Sequence, residues 1–128
     1  MRRSDERGAL EVQELRPGHL LVRVEGHLTT AVGAAFPAFA REAAKRAERC
    51  TVYLDVRAMK GFDADVRQDW LEVVLSERHR IEHVAVATTG VFITLSARAA
   101  ALALRAVGVS FEVLSRDAEL DRLVAAAA

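Results

Sequence analysis

Thr51-Val52-Tyr53-Leu54-Asp55-Val56, then Arg57-Ala58-Met59-Lys60-Gly61-Phe62, then Asp63-Ala64-Asp65 opening a stretch that runs through Val66 and Trp70 to Val74, is the part of the chain that decides the fold. The first run is rich in β-formers and almost continuously apolar, as a central strand covered on both faces would be. Its single charge, Asp55, stands out. The second run reads as a short loop. The third reads as a helix with an acidic first turn, carrying Val66, Trp70, Val73 and Val74 on one side, with Leu71 and Leu75 adjoining, against Arg67, Gln68, Asp69, Glu72 and Ser76. Strand, loop and helix in that order place a helix N-terminus at the edge of a sheet, where a site is expected.

Towards the N-terminus, Leu10, Val12 and Leu15 alternate up to Pro17-Gly18, and Leu20, Val22 and Val24 alternate up to Gly26-His27. Two alternating runs around a strong turn signal predict an antiparallel hairpin. Residues 1–8 are charged and without apolar periodicity, so a flexible tail is expected there. After Leu28, Thr29 or Thr30 is the expected N-cap of a helix whose apolar face is Val32, Phe36, Phe39, Ala43 and Ala47. Pro37 falls inside it, so the helix either starts nearer Ala35 or bends.

Towards the C-terminus, Arg78-His79-Arg80 suits a helix end, and residues 81–88 read as a further inner strand. Val91-Phe92-Ile93 reads as an apolar loop or first turn before an alanine-rich helix over 96–107, ended by Gly108 at a left-handed position. Residues 109–114 form the last strand. Ser115 or Asp117 then caps a helix bearing Leu120, Leu123 and Val124, whose alanine tail is expected to fray. The predicted order is β-β-α-β-α-β-α-β-α. This is an α/β domain over 9–125, with a mixed five-stranded sheet (hairpin first, then parallel strands) and about four helices.

A chain of 128 residues suits one domain. Lys+Arg and Asp+Glu both number 18, and no basic block is present, so nucleic acid is not an expected partner. A single cysteine, Cys50, allows no internal disulfide, no apolar run is long enough to span a membrane, and no signal segment is visible; a cytoplasmic protein is expected.

This order, with Val52-Tyr53-Leu54-Asp55-Val56 before Phe62-Asp63-Ala64-Asp65-Val66, Leu104-Arg105-Ala106-Val107-Gly108, and residues 115–120 ahead of the last helix, resembles the STAS domains. That family includes bacterial anti-sigma factor antagonists and the cytoplasmic tails of sulfate transporters. The resemblance implies a regulatory domain acting through protein partners. In the antagonists a serine or threonine at the helix start is phosphorylated, which switches binding off; here Ala64 and Asp65 stand at the matching positions and Val66 replaces the glycine, so no phosphoswitch is expected there. The stretch from Phe62 to Trp70, with His79-Arg80-Ile81 leading into Val84-Ala85-Val86, looks closer to a divergent STAS-like branch related to CRAL-TRIO lipid-binding domains.

Two functional readings follow, from different classes. In the first, Gly61, Phe62, Asp63, Asp65 and Asp69 form a corner that binds a regulatory protein through acidic and apolar contacts. The bland alternative for the acids is plain N-capping. In the second, Trp70, Phe92 and Phe111 line a pocket for an apolar, lipid-like small molecule between sheet and helices, the bland alternative being ordinary core. An accessible apolar cavity would favour this second reading. Alanine-rich helix faces also allow a homodimer. No catalytic triad, cofactor motif or metal site is expected: His79 and His83 have helical spacing, but residues from Ile81 onward read as strand. An enzyme is not indicated.

Overall fold

In a computed structural model of the chain, which describes residues 1–114 and 116–128, six strands stand side by side in the order of the sequence. They are β1 (Arg2–Ser4), β2 (Gly8–Arg16), β3 (His19–Leu28), β4 (Cys50–Phe62), β5 (Ile81–Ala87) and β6 (Ser110–Leu114). β1, β2 and β3 pair antiparallel, and β3 to β6 pair parallel. Parallel neighbours need crossovers, which are supplied by the single turn α1 (Thr30–Gly33) with α2 (Ala35–Arg46), then α3 (Ala64–Ser76) and α4 (Val91–Arg105). The last helix is α5 (Asp117–Ala127).

Strand alternation divides the core between the two faces of the sheet. Leu20, Val22, Val52, Val56, Val84 and Val86 point to one face and pack with Phe36 of α2, Val66 and Val73 of α3, and Ile93 and Leu104 of α4. Leu21, Tyr53, Ala85 and Leu114 point to the other face, where Leu120 and Ala127 of α5 cover them. Asp55 also belongs to this second face. Burial works against its charge, but the Arg57 guanidinium grips both carboxylate oxygens at 2.9 Å, Arg23 stands 3.7 Å away, and its pKa is held below the ordinary value. Arg57 also reaches Asp121, tying α5 to β4.

The α/β class, the hairpin, the parallel arrangement and a helix start at Ala35 agree with the sequence reading, and other boundaries differ. The sheet has six strands rather than five, because Arg2–Ser4, within the expected tail, pairs with β2. The expected loop at 57–62 is strand, because β3 continues to Leu28 and pairs His27 with Gly61 and Leu28 with Phe62. Pro37 is accommodated by division: Thr29 caps α1, its hydroxyl accepting from the Val32 amide, and α2 begins afresh at Ala35, which leaves Pro37 in a first turn where no amide is required. α4 begins at Val91 and α5 extends to a buried Ala127. Gly108 is left-handed, with φ +89°, as expected; Ser115 lies outside the described residues.

The β2–β3 turn is locked to the start of β4. The Thr51 amide donates to the Gly18 carbonyl at 2.7 Å, and Gly18 has φ +85° with the Arg49 carbonyl 2.4 Å from where a Cβ would stand. A left-handed backbone and a backbone clash act together at this position. We expect Gly18→Ala to lower the unfolding free energy by about 2 kcal/mol or more in urea titrations, without changing the fold of the surviving native state.

Candidate functional site: an apolar cavity between two helices

α3 and α4 lie on the same face of the sheet, and the side chains between them do not fill the space. From α3, Trp70, Leu71 and Val74 face the gap; from α4 it is bordered by Ser96, Ala97 and Ala100, all small. The result is a cavity of about 130 Å³ over a floor of Val52, Leu54 and Val56 of β4 and Val84 and Val86 of β5. Phe111 of β6 and Leu104 of α4 also border it, and it opens towards solvent. Among the described lining residues, Arg67 and Ser96 alone have polar side chains.

Beside the cavity, Phe62, itself a lining residue, stacks on Phe92 with ring centroids 5.8 Å apart. Phe92 is 66% exposed and Val91 78% exposed, and Leu95 and Leu102 on α4 are also open to solvent. Val91, Leu95 and Leu102 project from the side of α4 turned away from the lining residues Ile93, Ala97, Ala100 and Leu104, so they form an exposed apolar patch separate from the cavity.

The three residues proposed from sequence for an apolar ligand divide. Trp70 and Phe111 line the cavity; Phe111 is 7% exposed. The Trp70 indole is fixed by donating Nε1–H to the Gly33 carbonyl at 2.9 Å and by packing on Phe36 at 4.5 Å. Gly33 permits this approach of α1 to α3, since a Cβ there would stand 3.0 Å from Val66. Phe92 is outside the lining and reaches the site through Phe62. Ser96, Ala97, Ala100 and Arg67 were not legible as site residues: small side chains read as close packing, and Arg67 as a solvated helix position.

The acidic corner is arranged differently from a row of presented carboxylates. Asp63 occupies the N-cap position of α3 but makes no side-chain cap bond to that helix. Instead, its carboxylate accepts from His27 Nε2 at 2.7 Å and from the Thr30 amide at 2.9 Å. The His27 bond, followed by that of the Thr30 amide, lowers its pKa below the ordinary 3.8. It therefore latches the end of β3 and the start of α1 to the start of α3. Gly61 and Phe62 are half-buried, Asp69 is half-buried and Asp65 is exposed.

The other candidates are separated. His83 sits on β5 with Nδ1 2.8 Å from the Ser110 hydroxyl, while His79 lies in the turn after α3. His19 Nδ1 lies 2.9 Å from the Tyr53 hydroxyl. Cys50 is buried, and burial pushes its thiol pKa up, away from the reactive thiolate. Among the described residues no group of three or more His, Cys, Asp or Glu could hold a metal ion, and no helix is long and apolar enough to cross a membrane.

No protein-family model matches the chain, and no curated protein does. Solved structures do. An uncharacterised protein of the DUF3478 family with a SpoIIAA-like fold, from Shewanella loihica PV-4, matches with a TM-score of 0.67 at 15% identity over 95% of this chain and 98% of its own. The anti-sigma factor antagonist SpoIIAA in its unphosphorylated form matches with a TM-score of 0.55 at 11% identity, over 89% and 96% of the two chains. An anti-sigma factor antagonist from Mycobacterium paratuberculosis matches with a TM-score of 0.51 at 14% identity, over 91% and 92%. The chain has the SpoIIAA-like, or STAS, fold.

The latch at Asp63 has a pH signature. A carboxylate whose folded pKa is depressed contributes stability that is fully present above its unfolded pKa and is lost as pH falls through the folded value. We expect Asp63→Ala to be less stable than the wild type at pH 7, and the difference to shrink as pH drops below about 3.8, the ordinary aspartate value. Denaturant titrations of both proteins between pH 2 and 7 check this.

Proposed function

We propose that the protein is a non-enzymatic STAS-fold domain that holds a small apolar molecule between its sheet and helices α3 and α4, as a carrier or sensor. The observation that carries this reading is the 130 Å³ cavity, whose lining is apolar apart from two side chains. An engineered cavity of about 150 Å³ lined by Leu, Ile and Phe stays dry and takes up benzene, so this volume suits one ring or a short alkyl chain. Binding would exchange water at the mouth for apolar contacts, with Phe92 and Phe62 covering the occupant.

The rival, in which Gly61, Phe62, Asp63, Asp65 and Asp69 dock a regulatory protein, has less to draw on. Asp63 is engaged inside the chain, and the helix start offers Ala64 where a phosphorylatable hydroxyl would be needed for the switch known in the antagonists.

Trp70 is the only tryptophan in the chain and lines the cavity, so its emission reports occupancy. Titration of the full chain with iodobenzene, an uncharged single-ring heavy-atom quencher, should give saturable, one-to-one quenching of Trp70. Ala100→Leu should weaken iodobenzene binding at least about tenfold while raising stability by about 0.5–2 kcal/mol, because the same methyl groups that displace the ligand fill the void. A wild type that shows no saturable binding sinks the reading, as does an Ala100→Leu protein that is stabilised and still binds undiminished. Retention of a specific protein partner that is lost in Asp65→Lys would instead favour the docking corner.

A further inference from the structure

The cavity has one charged side chain at its border. Arg67 lies on α3 one turn before Leu71 and two turns before Val74, so the three share the flank that faces α4. Its residue is exposed while it contributes to the lining, so it stands at the border of the apolar surface, where a long aliphatic stem can carry the guanidinium to the opening. Ser96, the other polar lining residue, stands across the gap on α4. The acids of α3, Asp65, Asp69 and Glu72, are absent from the lining.

Arg67 is also unengaged. Arg23 and Arg57 are taken up by Asp55, Arg46 by Glu14, Arg80 by the Ala44 carbonyl and Arg105 by the Phe111 carbonyl. Arg67 makes no hydrogen bond or ion pair with any described residue, which is also true of the surface residues Arg41, Arg98 and Arg122, but of these four it alone lines the cavity. A guanidinium carries five donors in a planar fork that matches carboxylate and phosphate, and next to an apolar surface such a bond is stronger than in open water.

From this juxtaposition we infer that the cavity takes an anionic amphiphile, a short-chain alkyl carboxylate or alkyl phosphate, with its tail over the β4–β5 floor and its head on Arg67, assisted by the Ser96 hydroxyl. The inference rests on the cavity being a binding site and adds the ligand's charge and polarity. An uncharged hydrocarbon would leave Arg67 idle, and an alkylammonium would meet it as a like charge. The tail is short because the cavity, at about 130 Å³, has the volume of about one ring or a few methylene groups.

Four ligands with one short tail and different heads test it: pentanoate, pentyl phosphate, pentanol and pentyltrimethylammonium, each competed against iodobenzene on the full chain. In the wild type at low salt, pentanoate or pentyl phosphate should bind about five- to thirtyfold more tightly than pentanol, and pentyltrimethylammonium more weakly than pentanol. The preference should fall as salt is raised, because the head group is only partly shielded from solvent. Arg67→Gln should bring the anion down to the affinity of pentanol while changing pentanol and iodobenzene binding by less than about twofold. Arg67→Glu should reverse the order in favour of pentyltrimethylammonium. Equal binding of pentanol and both anions to the wild type overturns the inference, as does an Arg67→Gln protein that loses all ligands in proportion. If iodobenzene binds and no pentyl compound displaces it, the inference fails and the cavity reading stands. If iodobenzene itself does not bind, the cavity reading fails and the inference falls with it.

Discussion

β4 is hydrogen-bonded to β3 along almost its whole length, down to Phe62, but to β5 only as far as Asp55. Beyond Asp55, β4 has a neighbour on one side only, and its overhang carries Met59 and Phe62 out past the end of β5. The edge left open is met by the connection into α4: the Thr89 hydroxyl donates to the Arg57 carbonyl at 2.6 Å, and Phe92 stacks on Phe62. The helix that should close the layer is thereby anchored at its N-terminal end, while Ser96, Ala97 and Ala100 are too short to reach α3.

Packing around the gap is otherwise tight, which separates it from general looseness. Val52, Val73, Val84 and Leu104 are at most 3% exposed. Trp70 is held by a hydrogen bond as well as by Phe36, so one wall is rigid. Opposite that floor and wall, α4 presents Ser96, Ala97 and Ala100 between the larger Ile93 and Leu104, and the gap lies along the small residues. The back face has a different character: α5 covers Tyr53 and Leu21, and the charged cluster of Arg23, Asp55, Arg57 and Asp121 closes one side of it.

The same fold therefore offers two distinct uses of one strand–helix corner. In the acidic-corner reading the start of α3 is a surface to be recognised. Here Asp63, with its side chain still 36% exposed, bonds to His27 and the Thr30 amide, which helps to fix where α3 begins and with it the positions of Arg67, Trp70 and Leu71 along the cavity. The sub-25% identities to the antagonists speak for shared architecture, and the residues of this chain have to supply the chemistry.

Much of the architecture could be read from sequence because it rests on periodicity. The period of two in 10–24 and the near-continuous apolar run at 51–56 determine strands, and the three- and four-residue spacings around Phe36 and Val66 determine helices. Trp70 and Phe111 were legible as inward-facing residues by the same rule. Periodicity says which way a side chain points but not how far away the opposite wall stands. Whether Ala97 and Ala100 meet a neighbour or leave a void, whether Asp63 caps its own helix or another, and whether residues 2–4 find an edge to pair with depend on distances between segments far apart in the chain. Those were decided by the tertiary structure alone, because the sheet sets where each helix can lie and the side chains then fill, or fail to fill, what remains.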